Sequence, residues 1–182
     1  MKKILIAIFT IAILFGCAKK DDLALGVYNG RNYQNEHFKL DIEIPEAFSY
    51  LTKEELEIVN DGLGVYEDDP EGKYYNYVLK VEHADGTQLN IAVDSNPNFS
   101  KNRDRLVDSI LDFLAANGVT YKHEKSKTEV NGVEYLQLDL ILPFEEVQRN
   151  LITVRNDKLI NIQVNYKTYN EKTAQELLAI YE

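Results

Sequence analysis

The chain has 182 residues, 45% of them hydrophobic, and a formal net charge of −10 from 20 basic and 30 acidic side chains. That balance excludes a nucleic-acid binder, because phosphate recognition needs a basic stripe and the Lys and Arg residues form none. One cysteine leaves no internal disulfide, so packing alone must hold the fold.

Lys2 and Lys3, an uncharged run from Ile4 to Phe15, then Gly16 and Cys17 make up the order of a secretory signal, and the run is too short for the roughly 20 residues that span a bilayer. Leu14-Phe15-Gly16-Cys17 resembles the lipobox of bacterial lipoproteins, with Phe15 as its one departure. The resemblance implies lipid attachment at Cys17 after removal of residues 1–16. Loss of Lys2 and Lys3 leaves 18 basic against 30 acidic side chains, a charge of −12 on 166 residues, the size of one domain. Lys19 and Lys20 are cancelled by Asp21 and Asp22, so residues 17–32 read as a solvated tether and 33–182 as a single domain.

Apolar positions alternate with charges over His37 to Ile44, a strand that Pro45 ends. Thr52 and Glu55 form a capping box for a helix from Lys53 to about Asn60, with Leu56 and Val59 on its inner face. Asp69-Pro70-Glu71-Gly72 has the residue order of a type I turn. Asp85-Gly86 then joins strands Val78–His83 and Leu89–Asp94 in a hairpin.

Leu106, Val107, Ile110, Leu111 and Leu114 recur at helical steps, predicting a long helix from Lys101 to Asn117 capped by Gly118. A crossing stretch leads to the Asn131-Gly132 turn and strands Val133–Leu142 and Val147–Val154. Arg155 to Lys158 reverses the chain into Leu159–Tyr166, and Thr173 with Glu176 caps a closing helix to Tyr181. These elements predict an α+β domain: an antiparallel sheet of about six strands with one long and two shorter helices.

The order of elements, with Tyr33, Asn35, Phe38, Leu40, Ile42, Ile44 and Pro45 at the front and Asn131-Gly132 and Leu159 to Tyr166 behind, resembles the Mog1/PsbP-like fold. Phe48 stands where that family often has tryptophan. The family includes a Ran-binding import factor, a photosystem II extrinsic subunit and bacterial envelope lipoproteins. The resemblance implies binding and assembly work, and it carries no functional residue onto this chain.

No catalytic or cofactor motif stands out. Asp94-Ser95-Asn96-Pro97-Asn98 begins like a calcium loop, but Phe99 replaces the turn glycine and Arg105 the closing glutamate. Glu67, Asp68, Asp69 and Glu71 read as an acidic solvated turn. His37, His83 and His123 lack metal-ligand spacing. Gly62-Leu63-Gly64 lacks the third glycine of a dinucleotide turn. An enzyme, a cofactor and a metal are therefore not expected.

Two surfaces suggest binding. Gln137 and Asp139 on one strand, and Asn161, Gln163 and Asn165 on another, are read as projecting away from the apolar set to form a partner face. Tyr66, Tyr74, Tyr75 and Tyr77 offer amphipathic rings of the kind that interfaces favour. The expected function is a non-enzymatic protein-binding or envelope-assembly module, lipid-anchored on the extracytoplasmic side of a bacterial membrane. The alternative is a lipoprotein that binds a small ligand or a cation.

Overall fold

The computed structural model describes residues 26–62, 75–95, 102–130 and 132–179. The signal, Cys17, the turn at 69–72, Tyr66, Tyr74, Asn131 and the start of the calcium-like loop after Ser95 lie outside them.

Among the described residues, ten strands form two antiparallel sheets. The larger has seven strands: β4 (Phe48–Tyr50), β5 (Tyr75–His83), β6 (Gln88–Asp94), β7 (Lys122–Val130), β8 (Val133–Ile141), β9 (Glu146–Arg155) and β10 (Lys158–Lys167). Their spatial order is β4-β5-β6-β10-β9-β8-β7. The smaller sheet comprises β1 (Val27–Asn29), β2 (Asn32–Asn35) and β3 (Leu40–Glu43) in sequence order. Among the described residues the α-helices are α1 (Lys53–Gly62), α2 (Arg103–Ala116) and α3 (Glu171–Ala179). The α+β class with an antiparallel sheet is as expected, with more strands than the sequence suggested.

Register assigns the faces, because directly paired residues project to the same side. Ile160, Ile162 and Val164 lie opposite Val93, Ile91 and Leu89. All six are buried in one cluster with Tyr33, Phe38, Leu40 and Ile42 of the small sheet and Ala174 and Leu177 of α3. On the other face, Leu106 and Val107 of α2 pack with Leu136, Leu138, Leu140, Ile152 and Leu159. Cover on both faces explains why β6 is buried at every position after Gln88.

Four expectations are corrected. Val27–Asn29 of the tether is paired as β1, and Tyr28 stacks on Tyr50 with ring centroids 4.9 Å apart, so the folded body reaches further toward the N-terminus. The first strand is shorter than His37 to Ile44, because the Asn35 side chain accepts from Phe38 N at 3.1 Å and Lys39 turns at φ 53°, which closes a turn before Leu40. The crossing stretch is the nine-residue strand β7. Its charges on both sides suit an exposed edge and erase the apolar alternation that would have revealed it. Thr173 lies inside α3 and caps nothing, its hydroxyl donating instead to Asp85 Oδ2 at 2.9 Å.

Other local signals act as read. Thr52 N donates to Glu55 Oε2 at 2.7 Å and Glu55 N to Thr52 Oγ1 at 3.3 Å, a closed capping box. Asn156 and Asp157 take φ 50° and 58° between paired Arg155 and Lys158, the conformation of a type I′ hairpin turn. Asn60, rather than Val59, joins Leu56 as the buried pair of α1.

Candidate partner-binding face

Pairing across β6, β10 and β9 aligns side-chain amides in rows. Asn90, Gln163 and Asn150 are successive partners, as are Gln88, Asn165 and Gln148. Asn161 continues the β10 column beside Ala92 and Ile152. Seven uncharged amides thus share the face of the large sheet that also carries α2.

These amides are partly interlocked. Asn150 is fully buried; its Oδ1 accepts from Gln148 Nε2 at 3.2 Å and from Asn161 Nδ2 at 3.4 Å, while its Nδ2 donates to Leu138 O at 3.3 Å. Gln163 Nε2 donates to Asn165 Oδ1 at 2.9 Å. Asn90 and Asn161 are buried, whereas Gln88, Gln148, Gln163 and Asn165 are half-buried. Buried amides require such partners, since an unpaired polar group away from water costs about 1–3 kcal/mol. Neutral carboxamides offer adjacent donors and acceptors without the desolvation cost of charge.

The tyrosines that remain within the described residues lie on this same face. Tyr75 pairs with Asp94 and Tyr77 with Ala92, and their rings meet edge-on at 5.4 Å. Burial raises the Tyr75 hydroxyl pKa, with Tyr77 and Asp94 adding to it and a hydrogen bond with Asn161 opposing it. Two candidates read separately along the chain are therefore one surface.

Gln137 and Asp139 are not part of it. Their β9 partners are Leu151 and Arg149, on the side that carries the small sheet and α3. Leu136, Leu138 and Leu140 take the amide-bearing side, where α2 covers them. The five expected face residues split because β8 alternates between two sides that are both partly apolar. Asp139 is moreover committed: Arg149 Nε and Nη2 donate to its two oxygens at 2.8 and 2.9 Å, and Gln137 Nε2 donates at 2.9 Å. This bidentate bond raises the Arg149 pKa.

A β-bulge between Tyr77 and Leu79 supplies residues that the sequence reading missed. It buries Val78 and Leu79 consecutively and returns Lys80 to the side of Tyr77, with Nζ 4.1 Å from the ring centroid. The visible signal is the adjacent apolar pair Val78-Leu79 inside an otherwise alternating strand. Lys80 pairs with Asn90 and so stands at the end of the row Asn90, Gln163, Asn150. A cleft of about 290 Å³ opens there, lined by Tyr50, Glu55, Lys80, Glu82, Gln88 and Asn90 among others.

Among the described residues no three His, Cys, Asp or Glu side chains group as metal ligands, and His37, His83 and His123 sit on separate elements. His83 Nδ1 lies 3.1 Å from Asp85 Oδ1. No described helix is long and apolar enough to cross a membrane.

The chain is similar to the solution structure of cyanobacterial PsbP (CyanoP) from Synechocystis sp. PCC 6803, at 13% identity and a TM-score of 0.49 over 86% of this chain and 95% of that one. No family model and no curated protein matches the chain. Its α+β class stands on the strand pairing itself.

Proposed function

We propose that this chain is a non-enzymatic binding module, held at the extracytoplasmic side of a bacterial membrane by a lipid on Cys17, and that it docks a protein partner on its amide-bearing face. The observation that carries the docking role is the alignment of seven side-chain amides with Tyr75 and Tyr77 on one side of the large sheet. An interface gains specificity from fixed donors and acceptors, and area from tyrosine rings. The anchor rests on the order Lys2-Lys3, Ile4 to Phe15, Gly16-Cys17, and two or more acyl chains on one cysteine give stable attachment without a basic patch.

Affinity purification of the full chain from native membranes after chemical crosslinking tests this reading. A partner recovered with the wild type, and reduced by Gln163→Ala, supports it. Recovery of nothing beyond a mock purification removes it.

A further inference from the structure

The turn from β8 to β9 breaks a rule that the turn from β9 to β10 obeys. Phe144 and Glu145 take φ 62° and 60°, two successive left-handed residues, and Leu142 N donates to Glu146 O at 2.8 Å across them. A type I′ turn needs this conformation and favours Asn-Gly or Asp-Gly, because most other side chains crowd the backbone there. Asn156 and Asp157 suit it in the β9–β10 turn, whereas Phe144 and Glu145 do not. Packing does not offset the mismatch. Phe144 is 88% exposed and belongs to neither buried cluster, and Glu145 is exposed and, among the described residues, enters no hydrogen bond or ion pair. A single exposed apolar side chain is ordinary on a protein surface. One that the backbone must strain to present is not, and strained positions concentrate where a ligand or partner is held.

The turn is held in place and is continuous with the amide face. Lys167 Nζ donates to Phe144 O at 3.1 Å and to Glu146 Oε1 at 2.7 Å. Lys167 pairs with Glu146, and the neighbouring pairs on the same side of these two strands are Asn165 with Gln148 and Gln163 with Asn150. The turn therefore stands where the amide columns of β9 and β10 end. From Asn150 to Phe144 is about 20 Å along the strand, and a standard interface takes about 800 Å² from each partner, a patch roughly 30 Å across. One partner can cover both.

We infer that Phe144 is an anchor of the proposed docking face: its ring enters an apolar pocket of the protein partner, and a Lys or Arg at the rim of that pocket meets Glu145. The inference rests on the docking reading and names the chemistry of the partner. Glu146 is already paired with Lys167, so Glu145 is the carboxylate left to select a basic rim. Aromatic side chains are enriched at interface cores and carry much of the binding where they fill a pocket. The adjacent carboxylate disfavours a bilayer as the occupant, since an unpaired charge is costly in lipid.

The test uses the full chain in its native membranes. Phe144→Asn combined with Glu145→Gly writes the favoured pair into the turn, so the purified double variant is expected to melt about 2–4 °C above wild type while the crosslinked partner falls about tenfold. Glu145→Lys alone is expected to reduce recovery at an unchanged melting temperature. A photo-crosslinking phenylalanine analogue at position 144 is expected to attach to the protein that position 163 captures. Undiminished recovery in the double variant or in Glu145→Lys, a double variant that melts no higher than wild type, or attachment from position 144 to lipid, to a different protein or to nothing overturns the inference. The docking face is judged separately, by whether Gln163→Ala reduces the partner, and wild type that recovers no partner removes both.

Discussion

Asn60 and Tyr77 are joined by two hydrogen bonds, Asn60 Nδ2 to Tyr77 O and Tyr77 N to Asn60 Oδ1, each 2.8 Å long. β4 pairs with β5 from Val81 to His83, so among the described residues the outer edge of β5 at Tyr77 has no neighbouring strand. One carboxamide from α1 supplies the donor and acceptor that a strand would have given. It fixes the backbone next to the bulge that turns Lys80 onto the amide face. Asn60→Ala is expected to cost about 2–3 kcal/mol, since both backbone groups of Tyr77 lose their partners. Urea unfolding measures this, and a loss below about 0.5 kcal/mol, the scale of an ordinary surface change, would contradict it.

Arg155 links the two sheets. Its Nη1 donates to Phe38 O at 2.6 Å and its Nη2 to the Tyr135 hydroxyl at 3.2 Å. Arg155→Ala should lower stability by about 2 kcal/mol in denaturant unfolding, with Arg155→Lys intermediate because an ammonium cannot reproduce the forked geometry. Equal stability of Ala and wild type would mean that Arg155 contributes nothing to holding the sheets together.

Asp85 predicts an acid-side dependence. Burial pushes its carboxyl up, but hydrogen bonds from Thr87 N at 2.8 Å and the Thr173 hydroxyl at 2.9 Å, with His83 Nδ1 3.1 Å from Oδ1, outweigh burial and hold it at about 2, below the ordinary 3.8. A depressed folded-state pKa means the contribution is complete above pH 3.8 and is lost as pH falls toward 2. Asp85→Asn should therefore flatten the fall in stability between pH 4 and pH 2, measured by urea midpoints across that range. A wild-type slope in the variant would show that other carboxylates govern acid unfolding.

Much of this architecture was written locally in the chain, and the exceptions share a cause. Ile160, Ile162 and Val164 against Asn161, Gln163 and Asn165 state both faces of β10 outright, because only one side of that strand is apolar. β8 carries leucines on one side and Tyr135 with Ile141 on the other, so its own alternation cannot say which side joins the amides. That choice is made by pairing with β9, through contacts distant in sequence. β7 is hidden for the same kind of reason, since an edge strand needs neither apolar face. The Lys80 position depends on one bulge, and a single-residue shift in parity leaves only the faint mark of Val78 next to Leu79.

Cys17→Ala should abolish lipid attachment and leave uncleaved precursor or a secreted soluble form, read by membrane fractionation and intact mass. Unchanged fractionation and mature size would refute the anchor.

Docking on the amide-bearing face is read out in the native cell by a photo-crosslinking residue placed at Gln163, with a second placed at Glu124 on β7 for comparison. A discrete crosslinked protein is expected from position 163, absent from position 124 and lost when Cys17→Ala removes membrane placement. The same product from both positions, or none from position 163, would contradict it.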